Sequence, residues 1–103
     1  MSYIKIFVSL KGKKGNPISQ QCKVIVRDGI TATSYNDPAY TKTVYDKMTA
    51  DGKEVSYADD ILIEKYPDKK KEAIADFIID QANLIGDKFK GMIDININRE
   101  LIK

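Results

Sequence analysis

Asp60 and Glu64 stand four residues apart, as do Asp76 and Asp80. On a helix that spacing sets two carboxylates on one face, where they can share a Mg²⁺ ion. Solvated helix faces carry the same pairs routinely, and a two-metal phosphodiesterase needs more convergent acids than any one element of this chain offers. Metal-dependent phosphodiester cleavage therefore ranks third among the functions considered. Histidine is absent and Cys22 is the only cysteine. These counts remove Ser-His and Cys-His nucleophiles, nearly all zinc chemistry and any internal disulfide. Cys22 shares strand parity with Val24 and Val26 and reads as an inert core thiol. Around Asp51-Gly52 the chain has the centre of a calcium loop only. With Gly52 at loop position six, Lys47 and Thr49 replace the first two acids and Ala58 replaces the closing glutamate. Neither glycine-rich phosphate motif is present. The expectation is a protein that is not an enzyme and uses no metal or cofactor.

Binding is what remains. In the stretch SLKGKKGNP, Lys11, Lys13 and Lys14 lie around Gly12 and ahead of Gly15. They follow a run in which Tyr3, Lys5 and Phe7 alternate with aliphatic residues, and Lys23, Arg27 and Tyr35 fall on the runs that come next. Aromatic rings interleaved with bases on a sheet surface can stack nucleobases while the cations neutralise phosphates, which is how single-strand binders work. The same loop also reads as a solvated hairpin tip whose lysines discourage edge-to-edge strand pairing. Parity alone does not choose which face of the first strand is covered, because Phe7 and Ile25 are also suited to lie under a helix.

Charge is polarised along the chain. Residues 1–35 carry six bases against Asp28 alone, a net +5, and residues 36–103 carry 11 bases against 14 acids, a net −3. Segment 46–68 holds seven acids and three lysines, and Asp59, Asp60 and Glu64 in it form a candidate docking face for a basic partner. Lys69, Lys70 and Lys71 put cations where a helix begins, against its dipole, with Asp68 and Glu72 beside them to soften the conflict.

The elements that must position these residues follow from periodicity. Ile4, Ile6, Val8 and Leu10 alternate with Tyr3, Lys5, Phe7 and Ser9, the period of a strand with one buried face. Residues 18–27 alternate likewise, so the lysine loop closes a hairpin. Asp28-Gly29 then predicts a second hairpin through a type I′ turn, leading to a strand over 30–35. Asp37 and Pro38 suit a helix start, Tyr40, Val44 and Met48 one helical stripe, and Gly52 a C-terminal cap. The β-branched residues at 41–49 support a further hairpin as the alternative. Ser56 with Asp59 predicts a short helix over 57–66 ending at Pro67, with a strand in DILIEKY as its alternative. The main helix is expected over 68–86, capped by Asp68 and stopped by Gly86. Ile93, Ile95 and Ile97 alternate with Asp94, Asn96 and Asn98 as a final strand.

The 103 residues are 43% apolar and 31% charged, which fits one globular domain spanning 1–103. No apolar run approaches the roughly 18 residues of a membrane span, and no secretory signal is visible, so a soluble cytoplasmic protein is expected. The fold class expected is α+β. An antiparallel sheet of about four strands, a three-stranded meander plus the C-terminal strand, is covered on one face by the long helix, with one or two shorter helices beside it. The leading functional expectation is a small non-enzymatic interaction protein, of the accessory or inhibitor kind found in phages and plasmids. It would dock onto a partner protein through a charged, Tyr-rich surface. Single-stranded nucleic-acid binding by the basic hairpin is the runner-up, and a homodimer is compatible with the sequence without being required by it.

Overall fold

The computed structural model describes residues 2–103. Alternation of aliphatic and polar residues produces six strands: β1 (Tyr3–Gly12), β2 (Ser19–Arg27), β3 (Ile30–Tyr35), β4 (Val55–Ala58), β5 (Ile61–Lys65) and β6 (Ile93–Ile102). They form one sheet of order β4-β5-β3-β2-β1-β6, antiparallel at every junction. The class is α+β as expected, but six strands replace the four anticipated. Helices α1 (Pro38–Ala50) and α2 (Lys71–Lys88) lie on the same face of this sheet, α1 over the β3-β5-β4 side and α2 over β2-β1-β6.

The core sits between α2 and the even-numbered residues of β1 and β2. Ile4, Ile6, Val24 and Val26 are buried against Ile74 and Ala75 of the helix. The register explains why they meet: Ile4 faces Val26 and Ile6 faces Val24 across the strands, so one apolar residue from each strand enters the same layer. Gly86 lies inside α2 and does not end it; a Cβ there would come within 2.6 Å of Ile95 Cγ2. Its missing side chain is what lets the helix rest directly on β6.

Helix α1 ends and begins as its sequence implies. Asp37 accepts the Ala39 N–H at 3.0 Å. At the other end Gly52, with φ of +81°, donates to Thr49 O while Lys53 N–H donates to Met48 O, the paired bonds of a Schellman cap.

The short helix expected over 57–66 is instead the β4–β5 hairpin. Asp59 and Asp60 take φ of 53° and 63°, and aspartate is among the few non-glycine residues that tolerate two left-handed positions in a tight turn. Ser56 therefore caps nothing. The start of α2 differs too, since Asp68 has φ of 62° and lies outside the helix. The cap comes from the distant Asp28, whose Oδ1 accepts the Lys71 N–H at 2.8 Å. The expected type I′ geometry at Asp28-Gly29 is absent, with only Gly29 at positive φ. Gly29 donates to Lys69 O and its own carbonyl accepts from Tyr66 N–H. These bonds tie the β2–β3 turn to the segment leading into α2. The Lys71 N–H bond, followed by the charges of Lys71 and Lys70, holds the Asp28 carboxyl below the usual aspartate range. The cations before α2 thus have an anion beside them that the local sequence does not contain.

Thr31 on β3 is 1% exposed, and its hydroxyl has no hydrogen-bond partner among the described residues. Thr31→Val keeps the shape and removes an unpaired buried polar group. It is expected to raise stability by about 1 kcal/mol, read as a higher urea midpoint at unchanged slope. A fall in the midpoint would mean that the hydroxyl has a partner in solution.

Candidate interaction face

With both helices on one side, the other face of the sheet carries no covering element among the described residues. Strand parity decides what it displays. From β1 come Tyr3, Lys5, Phe7, Ser9 and Lys11, paired across to Ile102, Glu100, Asn98, Asn96 and Asp94 of β6. On the other side, Lys5 faces Ile25 and Phe7 faces Lys23, while Arg27 faces Ile30, which in turn faces Lys65. The face thus holds five cations (Lys5, Lys11, Lys23, Arg27 and Lys65) against two carboxylates (Asp94 and Glu100).

Phe7 is 38% exposed at the centre of this arrangement. The Arg27 guanidinium lies 4.8 Å above the Tyr3 ring centroid, which holds a long, flexible cation in place. Ile25, Ile61 and Ile63 lie on the same face and are half-buried by their neighbours alone. The composition is an apolar centre with a basic surround.

The lysine loop divides its charges. Lys11 stands on the uncovered face, opposite Asp94. Lys13 turns toward the connection between α2 and β6, with Nζ 3.3 Å from Asp94 and donating to Lys90 O at 3.2 Å. Its role is to pin the hairpin. Lys14, with φ of 52°, is exposed at the tip.

Four expected site residues are not where the sequence placed them. Tyr35 faces Cys22 across β2–β3 and so lies on the helix side, its ring edge-on to Tyr40 at 4.9 Å. Asp59 and Asp60 sit in the β4–β5 turn, where Asp60 Oδ1 accepts the Tyr57 hydroxyl at 2.8 Å. That bond raises the Tyr57 pKa. Glu64 lies on β5 opposite Thr31, facing the helices. The three carboxylates therefore do not make one acidic face. Asp60 and Glu64 are not a helical pair either, and Asp76 is engaged by Arg99 at 2.6 Å. Among the described residues, no three potential ligands lie close enough to hold a metal ion.

Ile63 and Lys65 were missed because their strand was read as a helix. The alternation Ile61, Ile63, Lys65 against Leu62, Glu64, Tyr66 was the signal available.

Cys22 is half-buried, and burial pushes its thiol up to about 11, which keeps it protonated and unreactive near neutrality. Burial followed by the Glu64 charge similarly raises Tyr66 to about 12. Both groups hold their protons more tightly when folded than when unfolded. Their stabilisation is complete below the unfolded values and is lost as pH rises through the folded ones. The stability of the protein should therefore fall from near pH 9 toward pH 12. Cys22→Ala should remove the part of that dependence lying between about 9 and 11, worth about 3 kcal/mol in all. An unchanged alkaline limb in the variant would mean that the thiol is solvated.

No helix among the described residues is long and apolar enough to cross a membrane. No family model matches this chain, and no curated protein or solved structure matches it.

Proposed function

We propose that this is a non-enzymatic interaction protein that docks its uncovered sheet face onto an acidic surface of a partner protein. The observation that carries the reading is the composition of that face. Phe7, Ile25 and Ile63 form an apolar centre within Lys5, Lys23, Arg27 and Lys65, the layout of an interface core with a polar rim. An apolar patch left open on one side of a packed sheet needs a covering surface. Five cations against two acids ask that surface to be negatively charged. The same imbalance disfavours two copies of this chain stacking face to face, since cations would meet cations.

Single-stranded nucleic acid is the second reading, favoured by the Tyr3 and Phe7 rings on one strand with Lys5, Lys23 and Arg27 beside them. A photo-crosslinking amino acid at position 25, with the protein expressed in its native host, tests both. Docking predicts a discrete protein adduct from position 25 that is absent when the probe replaces Glu72, on the outer side of α2. It also predicts that labelled single-stranded DNA and RNA bind only at low salt. Binding of those strands that persists at physiological salt, with a steep salt slope, would transfer the face to nucleic acid.

A further inference from the structure

On the opposite side of the sheet, α1 and α2 flank a cleft of about 310 Å³. Its floor is Val24 and Cys22, and its walls are Val44 and Met48 from α1 and Ile78 and Ile85 from α2. That volume is at the lower end of the range for small-molecule sites, roughly 300 to 1,000 Å³.

One carboxylate opens into this apolar space. Glu64 is half-buried, and among the described residues its carboxylate accepts only one hydrogen bond, a long one from the Tyr66 hydroxyl at 3.5 Å, and no lysine or arginine pairs with it. Three tyrosines line the same cleft: Tyr66, Tyr35 and, at its mouth, Tyr40, 38% exposed. Tyr35 and Tyr40 stand at 83° to each other with centroids 4.9 Å apart, so two of the three rings meet as adjoining walls. Aromatic walls beside a carboxylate are the surroundings in which alkylated ammonium groups are held, through the negative ring faces and the anion together. An anionic guest would be repelled by Glu64, and a neutral apolar one would bury the carboxylate without compensation. A single carboxylate is also too few oxygens for a hard metal ion.

We propose that the cleft is a binding site for a small organic ammonium ion, its alkylated head held by Glu64 and the rings of Tyr35, Tyr40 and Tyr66, its apolar tail laid between the helices. The site is on the reverse of the docking face, so it stands or falls independently of that reading.

Hexyltrimethylammonium, hexanol and hexanoate, titrated into the full chain and followed by amide chemical shifts, are the probes. The expected result is saturable binding of the cation, with the alcohol weaker by roughly tenfold and the carboxylate weaker still. In Glu64→Gln the cation should fall to the level of the alcohol, and Tyr40→Ala should weaken it in the same direction. Equal affinity for cation and alcohol would overturn the proposal and assign the cleft to neutral apolar guests. No saturable binding by any of the three would overturn it as well and leave the cleft to a macromolecular partner. Both comparisons use the unaltered protein, so they decide the matter even if Glu64→Gln fails to fold.

Discussion

Ile6→Ala is expected to cost about 3 to 5 kcal/mol, the range for truncating a fully buried aliphatic side chain that its surroundings cannot refill. Ile6 is 0% exposed, at the centre of the layer shared by Ile4, Val24, Val26, Ile74 and Ala75. Neighbours from two strands and a helix fix the walls of the space it fills, so the site cannot collapse without shifting α2 off the sheet. A domain of this size has about 5 to 15 kcal/mol in total, so the variant should be partly unfolded near body temperature. Urea denaturation followed by circular dichroism measures the loss, and Ile6→Val should cost about 1 kcal/mol. The adjoining residue provides the contrast. Phe7→Ala removes a larger side chain, but one 38% exposed on the uncovered face, and should cost less than half as much. If Phe7→Ala proved the more damaging of the two, the helices would be covering the other face.

The second large effect concerns that uncovered face. Reversing Lys5, Lys23 and Arg27 together to glutamate would change its balance from five cations against two acids to two against five. Partner binding should weaken by roughly a hundredfold or more, because complementary charges would become opposed ones across a face that also excludes water. None of the three makes an ion pair within the protein among the described residues. Loss of the Arg27 contact over Tyr3 is the main internal penalty, and the melting temperature should move by only a few degrees. The readout is the yield of the position-25 adduct. Retained adduct would remove this face from the proposal. Reversing Asp59 and Asp60 should leave the adduct intact, since they lie in the β4–β5 turn at the edge of the sheet.

Much of this architecture was legible in the residue order because its signals are local. Four strands follow from alternation, and α1 shows its Asp37 cap, its Tyr40-Val44-Met48 stripe and its Gly52 terminus within sixteen residues of chain. The β4–β5 hairpin was harder to read because its turn is Asp59-Asp60, without the glycine or asparagine that usually marks two left-handed positions, and because Ser56 and Asp59 imitate a capping pair. The limits of α2 were misplaced for a different reason. Its cap is Asp28, in another hairpin, and Gly86 serves a packing contact with Ile95, so both determinants are tertiary.

The candidate face was legible in the residues of β1 and β2. It depended on knowing which parity the helices cover, and only the assembled sheet decides that. Tyr35 was assigned to the wrong side because β3 enters the sheet with its parity set by pairing to β2. Glu64 could be placed only once its strand was recognised. The cleft holding Glu64 and the three tyrosines had no local signature, since its walls come from both helices and four strands.

The bond from Asp28 to the first turn of α2 also bears on how the chain reaches this state. A helix whose opening N–H is satisfied 43 positions away gains its cap only when the β2–β3 hairpin has formed and come alongside. Lys69 and Lys70 before it and Lys71 at its first position make an early start less favourable still. The hairpin and α2 are thereby coupled into one cooperative unit. Loosening at the turn would release the start of the helix with it, and the helix could not fray from that end without freeing Lys71 from Asp28.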